Sequence, residues 1–375
     1  MGPSSKPPLV KILEITNVDF SLRHFLLPLM RGIRARGHEV VGVSADGPLL
    51  AIPRAEGFRV ENVPMARSLS PLAQLRAFRA LVRLMRAERP DLVHAHMPIS
   101  GFLARLAARA AGVPKIAYTC HGFLFNQPGP WPRRLASLIL EFIGGRLTDV
   151  YMTVSDEEAA DARRLNLHGG AIGIGNGRDP ARFRPDVSAR ARVRAALGVA
   201  DNRVVVLAVS RLVRHKGYPE LVAAMREVDA ELWVVGERLN SDRGADMDAV
   251  FAASGLGERL RRLGYRDDVP ALMAAADIFC LPSHFEGLPM SVIEAMLCAL
   301  PVVATDIRGP REQVVPEQTG LLVPPMQSAP LAAALSRLAR DASLRHRMGE
   351  AGRERAVEKY DEARVVTRTL DLLAL

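Results

Sequence analysis

Short apolar runs alternate along this chain with stretches whose apolar residues recur at helical spacing, and the alternation occurs twice over. In the first half, Val10–Ile15, Glu39–Val43, Arg59–Val63, Leu92–Ala95, Lys115–Thr119 and Val150–Val154 are predicted strands, with helices between most of them. The second half repeats the scheme with Val204–Val209, Ala230–Val235, Arg259–Leu263, Asp277–Pro282 and Pro301–Ala304, and helical periodicity dominates beyond Ser328. Strands that alternate with helices build parallel sheets, so two α/β units are expected. Each predicted strand runs into a polar or Gly-rich loop, and in open α/β sheets ligands bind in those loops, at the carboxyl ends of the strands.

The segment Gly173-Ile-Gly-Asn-Gly-Arg-Asp-Pro180 and the Arg/Pro-rich stretch after it are predicted to be the connection between the units. Its Gly-x-Gly-x-Gly spacing opens no helix of the dinucleotide type, so it is read as a hinge. The predicted organisation is an N-terminal unit over 1–180, a C-terminal unit over 181–360, and a final helix in 361–375 that packs back on the first unit.

The chemistry concentrates between Ser283 and Glu294, Ser-His-Phe-Glu-Gly-Leu-Pro-Met-Ser-Val-Ile-Glu. The buried strand before it and the periodicity of Val292, Ile293, Met296 and Leu297 after Pro289 predict strand, tight loop and helix. Gly287 permits a ligand to approach the backbone, and free N–H groups at the helix start favour an anion such as a pyrophosphate. Glu286 then stands beside whatever that phosphate carries, and Glu294, about two turns on, reaches a second group such as ribose hydroxyls. Solvated helix carboxylates are the bland alternative. Arg211 and Lys216 follow another buried strand, where two cations can neutralise a diphosphate and the charge that develops on a leaving group.

Composition narrows the class. At 375 residues the chain has room for two to three domains, and no run of about 18 apolar residues is present. The start, Met1–Pro8, lacks the apolar core of a signal peptide, and Cys120, Cys280 and Cys298 show neither pairing nor metal spacing. A cytoplasmic protein with buried thiols is expected. The net charge of +9 is uneven: residues 1–185 carry 25 Lys/Arg against 15 Asp/Glu, and the remainder 25 against 26. Aromatics at 5% argue against a nucleic-acid module, leaving an anionic membrane surface as the partner of the basic half. Arg76, Arg79, Arg83 and Arg86 share one helical face beside Leu72, Leu75, Phe78, Val82 and Met85, and Trp131–Leu147 could add an apolar lip with Leu135, Leu138, Ile139 and Phe142. An ordinary surface helix is the alternative for the first of these.

Taken together, Arg211 with Lys216-Gly217, the loop Gly264-Tyr-Arg-Asp-Asp-Val269, Phe285-Glu-Gly-Leu-Pro289 with its Glu-x7-Glu spacing, Pro301–Asp306 and Gly320–Pro324 resemble glycosyltransferase family 4. The likeness is to the bacterial polysaccharide and lipid-linked oligosaccharide branch. Val93-His-Ala-His96, Tyr118-Thr-Cys-His-Gly122, Val154-Ser155 and Gly175-Asn-Gly177 resemble it more loosely. The resemblance implies a GT-B fold, two Rossmann-like domains facing across a cleft, donor on the C-terminal one and acceptor on the N-terminal one. It further implies that Glu286 binds the donor sugar, Glu294 the ribose, Arg211 and Lys216 the diphosphate, and the backbone near Arg266 the base, with Gly287 and Leu288 beside the donor. His121 would meet the sugar from the other domain.

Many members carry a Gly-Gly loop after the first strand. This chain has Thr16-Asn-Val-Asp-Phe-Ser21, which leaves Asn17 and His96 as acceptor-side candidates. His94 and His96 would form a metal pair only if their strand continued, and no third ligand is evident, so no metal and no cofactor are expected. Arg211 and Lys216 can supply the charge that Mg²⁺ would otherwise provide.

The expected activity is transfer of a sugar from a nucleotide diphosphate, UDP for preference, to a hydroxyl of a lipid-linked or polysaccharide precursor. The resemblance implies retention at the anomeric carbon. No carboxylate can be placed for a covalent route, which favours front-face departure. A GT-B UDP-sugar epimerase and a non-catalytic two-lobed sugar-nucleotide-binding protein are the rival readings.

Overall fold

The computed structural model describes residues 9–65, 70–238 and 247–375. The expectation of a start without a signal peptide rests on Met1–Pro8, which lie outside the described residues. The apolar runs become strands because each is short, rich in Val, Ile and Leu, and closed by polar or Gly/Pro residues. The chain divides into two compact units, Met1–Gly175 with Val365–Leu375, and Asn176–Arg364.

The N-terminal unit carries seven parallel strands: β1 (Lys11–Ile15), β2 (Glu39–Ser44), β3 (Arg59–Asn62), β4 (Leu92–His96), β5 (Lys115–Cys120), β6 (Val150–Thr153) and β7 (Ile172–Gly173). Their order in the sheet is β3-β2-β1-β4-β5-β6-β7. From β1 the chain builds outward in one direction, then returns to build in the other from β4, so the β1/β4 junction is the switch point where such sheets open a crevice. Both faces are covered. Ile12 and Leu92 pack with Leu22, Met30, Ile33 and Leu370 on one side, and Leu13 and Val93 pack with Leu81 and Ala104 on the other.

The closing helix, Glu362–Leu373, contributes Leu370 and Leu373 to the first of these cores. Gly32 makes room for it: a Cβ there would lie 2.5 Å from Val366. Lys115 donates to the Leu373 carbonyl at 2.6 Å and Arg36 pairs with Asp371 at 2.8 Å.

The C-terminal unit holds β8 (Val205–Val209), β9 (Glu231–Val235), β10 (Leu260–Gly264), β11 (Ile278–Leu281), β12 (Val302–Thr305) and β13 (Gly320–Val323). They are ordered β10-β9-β8-β11-β12-β13, which puts a second switch point between β8 and β11. The edge strands β7 and β13 are absent from the predicted set. β7 has two residues, too few to be legible as a strand, and β13 falls in Gly320–Pro324, which the sequence reading uses as a motif and not as a strand.

One helix differs from expectation and another meets it. Pro71–Glu88 buries Ala77, Leu81 and Met85, while Leu72 is 69% exposed and Leu75 is exposed too. Small Ala77 allows close approach to the helix Pro98–Ala111, so the buried stripe is rotated from the predicted one. Arg76, Arg79, Arg83 and Arg86 are all exposed. The helix Trp131–Arg146 presents the expected apolar lip, inverted relative to an ordinary surface helix: Ser137, Glu141, Gly144 and Gly145 are buried, while Trp131, Leu135, Ile139, Leu140, Phe142 and Ile143 are exposed, and of the named lip only Leu138 is partly buried.

Glu141 explains the inversion. Its carboxylate accepts from Tyr118 at 3.0 Å, Tyr151 at 3.1 Å and Arg105 at 3.2 Å. Arg105 lies fully buried, 3.7 Å from the centroid of the Tyr118 ring, and Gly144 leaves space for its guanidinium. A buried charge is tolerable only when paired and hydrogen-bonded, and this cluster holds the polar edge of the helix inward. Among the described residues no helix is long and apolar enough to cross a membrane.

Candidate active site

The two switch points each gather charged side chains. In the C-terminal unit, β8 ends into Ser210–Gly217 and β11 into Pro282–Pro289, on neighbouring strands. A short 3-10 turn over Arg214–Lys216 lifts Lys216, and Gly217, at φ 76, closes it. Glycine is required there, because a Cβ would sit 1.9 Å from the Pro282 carbonyl oxygen. The two loops are also joined by the His284 amide donating to His215 at 2.8 Å and by the stacked rings of His215 and Phe285 at 4.6 Å.

These contacts bring two of the predicted residues together. Lys216 Nζ lies 2.5 Å from Glu286 Oε1, and Ser283 Oγ donates to the same oxygen at 2.6 Å. Among the described residues no hydrogen bond engages Oε2 of Glu286. Both partners of the ion pair keep partial exposure, 15% and 10%, so the pair can exchange with a ligand. Behind it, Thr305 Oγ1 holds the Ser283 carbonyl at 2.5 Å. Gly309, at φ 83, lets the loop after β12 close on Gly287, whose carbonyl oxygen would meet a Cβ at 1.8 Å.

Glu294 stands in the helix Met290–Leu297, and Arg178 Nε donates to its Oε1 at 2.6 Å. Leu288 is buried, and its carbonyl accepts from Asn176 at 2.8 Å. Arg178 and Asn176 come from the stretch read as a hinge; the sequence reading gave neither a role in the site. Arg211 is exposed in the loop after β8. Arg266 turns to Asp268, with two contacts of 2.7 and 2.6 Å, and so does not join Lys216 and Glu286.

In the N-terminal unit, the side of β1, β4 and β5 that begins apolar with Ile12, Leu92 and Ala117 becomes polar toward the carboxyl ends, at Glu14, His94, His96 and Thr119. Glu14 and His94 are direct partners across the sheet. Glu14 is fully buried and accepts from His94 Nδ1 at 3.0 Å and from His96 Nε2 at 2.8 Å. His94 Nε2 meets Thr119 Oγ1 at 2.8 Å, and His96 Nδ1 meets His121 Nε2 at 3.2 Å.

The strand does continue through His96, and a third group is present after all: Glu14, invisible as a ligand candidate because it is 82 positions from His96. Glu14, His94 and His96 each offer an atom within 4.8 Å of the others. Those atoms already satisfy one another as hydrogen bonds, so the cluster is closed without an ion. A charged residue inside a run predicted to be buried was the available signal for Glu14.

Burial by itself would raise the Glu14 carboxyl, but its interactions with His94 and then His96 override this and bring it down to about 2. His96 is lowered to about 4, chiefly by burial and then by His94. His121, partly buried, is lowered well below the ordinary histidine range by desolvation, then by His96 and His94.

Met97, directly after His96, has φ 66 and ψ 151, a conformation nearly confined to glycine. Such strain persists where packing over-determines the backbone, and it marks this strand end. Asn17 is half-buried, and its carbonyl accepts from the Ala45 amide at 3.3 Å.

Comparison with known proteins gives one consistent result. Residues 189–355 match the family described as glycosyl transferases group 1, and residues 22–173 match the glycosyl transferase 4-like domain. The chain is 30% identical to the putative glycosyltransferase EpsD of Bacillus subtilis over 96% of each protein. It is 28% identical to the UDP-Gal:alpha-D-GlcNAc-diphosphoundecaprenol alpha-1,3-galactosyltransferase of Escherichia coli, over 69% of each. In fold it is similar to Anabaena HepE solved in complex with UDP, with a TM-score of 0.83 at 23% identity over 98% of this chain and 100% of that one.

Proposed function

The chain belongs to the group 1 glycosyltransferases, with a glycosyl transferase 4-like domain in its N-terminal half, and from that premise we propose that it transfers a sugar, with retention, from a UDP-sugar to a hydroxyl of a lipid-linked or polysaccharide precursor. The observation that carries the reading is the Lys216–Glu286 pair on neighbouring strand-end loops at the β8/β11 switch point. A diphosphate arriving there replaces Glu286 as the anionic partner of Lys216, with Arg211 as second cation. The released carboxylate then accepts from sugar hydroxyls. Glu294, oriented by Arg178, binds the ribose. In the N-terminal unit His121 hydrogen-bonds the sugar, and Asn17 and His96 lie on the acceptor side.

In the reaction the bond from the anomeric carbon to the β-phosphate oxygen breaks and the bond to the acceptor oxygen forms on the same face. The acceptor's proton passes to the departing phosphate. Lys216 and Arg211 stabilise the charge that builds on that phosphate, where fixed cations act most strongly. The E. coli relative is named for a diphosphoundecaprenol acceptor, and such a molecule resides in a membrane. The inverted helix Trp131–Arg146 offers an apolar face toward a bilayer, and the four arginines of Pro71–Glu88 add a charge that anionic lipid attracts.

The test is a panel of UDP- and GDP-sugars incubated with polyprenyl-diphosphate-linked saccharides, scored for transfer and for the anomeric configuration of the product. Transfer from a UDP-sugar with retained configuration is expected. Epimerised donor without transfer, or an inverted product, would overturn the reading.

A further inference from the structure

We propose that Glu14 and His96 form a positioning relay that sets the tautomer of His121, placing its proton on Nε2 and leaving Nδ1 as a bare acceptor. The inference deepens the proposed function, since it matters for transfer only if His121 binds the sugar. It starts from Glu14, a carboxylate sealed in the sheet whose only possible role, ionised, is to accept. Two histidine nitrogens address it, His94 Nδ1 at 3.0 Å and His96 Nε2 at 2.8 Å, so both must carry protons.

The consequence propagates. Neutral His96 with its proton on Nε2 has an unprotonated Nδ1, and the group facing that nitrogen at 3.2 Å is His121 Nε2. One of the two must donate, and His96 Nδ1 has nothing to give. His121 therefore carries its proton on Nε2. The burial that holds both rings below the usual histidine range keeps each in the neutral form on which this logic depends. His121 is partly buried, with the Phe25 ring 5.7 Å from its own, so one flank is confined while the residue keeps some accessible surface for a ligand.

A neutral imidazole held this way selects ligand chemistry. Its Nδ1 can accept from a sugar hydroxyl, whereas the opposite tautomer would present a donor. Glu14 and His96 touch no ligand in this scheme, so they are positioning residues acting through His121.

The direct test is nitrogen NMR of the full-length protein labelled with ¹⁵N-histidine. In the wild type, His121 is expected with a protonated Nε2 and an unprotonated Nδ1. In Glu14→Gln the amide can donate as well as accept, His96 can reverse, and a second His121 form protonated on Nδ1 should appear. Turnover in that variant should fall about 10- to 100-fold, the loss of one oriented hydrogen bond to a hydroxyl in a desolvated site, with donor KM changing less. Glu14→Asp should recover the single tautomer and part of the rate.

A wild-type His121 protonated on Nδ1 would overturn the relay without any variant being needed. So would a metal found at one equivalent in the purified protein and bound to His94 and His96, because a ligated His96 nitrogen cannot donate to Glu14. The expected wild-type tautomer together with full activity in His121→Ala would leave the relay standing and remove the sugar-binding role assigned to His121.

Discussion

Both units build carboxylates into the same kind of architecture and treat them oppositely. Glu14 and Glu141 of the N-terminal unit are sealed among histidines, or among Arg105 and two tyrosines, with every partner inside the protein. Glu286 and Glu294 of the C-terminal unit sit at the rim, each with a single cation and partial exposure. A sealed carboxylate is committed, since separating it from its partners leaves a buried charge unpaired. One that keeps partial exposure can trade its cation for a ligand whose own charged and polar groups then satisfy both partners. Substitutions in the first set should therefore appear in stability, with Glu14 acting on turnover as well through His121, and in the second set in kinetics alone.

The largest contrast is expected at Glu141. Replacement by Ala strands the Arg105 guanidinium and should destabilise the N-terminal unit by about 3–5 kcal/mol. Hydrogen-exchange protection of β5 and β6 reads this out, and a loss below about 1 kcal/mol would show that the cluster is not committed. Lys216→Ala should leave protection unchanged while turnover falls about 10²- to 10³-fold with donor KM nearly constant. Unaltered turnover, or a rise in KM alone, would remove Lys216 from the chemistry.

Acid should separate the units next. The unfolded chain takes up protons at His96 and His121 near pH 6.5 that the folded unit refuses, His96 until about pH 4. Stability present above pH 6.5 is thus lost as pH falls through that window. Glu14, depressed to about 2, adds a second loss from about pH 4.5 downward. Protection of β1 and β4 followed from pH 7 to pH 4 should decline; a flat profile would contradict the buried neutral histidines.

Arg178→Ala should raise donor KM about 10-fold, or ~1.4 kcal/mol, by releasing Glu294 from its set orientation, with turnover at saturation little changed. A small effect is also expected from Leu135→Ser with Ile139→Ser. These exposed positions should alter stability by no more than about 0.5 kcal/mol each, while sedimentation with anionic vesicles falls. Undiminished sedimentation would take the helix Trp131–Arg146 out of the membrane reading.

What was legible followed locality. Glu286, Gly287, Leu288 and Glu294 lie within nine residues, and the strand, loop and helix that carry them announce themselves by periodicity. Arg178 meets Glu294 from 116 positions away, and the His96–Glu14–His94 cluster draws on two strands far apart in the chain. The apolar lip of Trp131–Arg146 was legible as a face, and Leu135, Ile139 and Phe142 are exposed as expected; what periodicity could not supply is the reason the polar edge turns inward, which is Glu141. The stripe of Pro71–Glu88 shifted because the fold buries Ala77, Leu81 and Met85 against the neighbouring elements, which periodicity does not specify.

By itself the chain determined the doubled α/β plan, the uneven charge, and the chemistry of Ser283–Glu294, because these depend on residues within one or two elements of each other. The tertiary structure decided the sheet order, the two switch points, the pairing of Lys216 with Glu286, and the burial of Glu14 against two histidines. Those depend on which strands lie side by side, and hydrogen bonds between distant strands are set by global packing rather than by any local pattern.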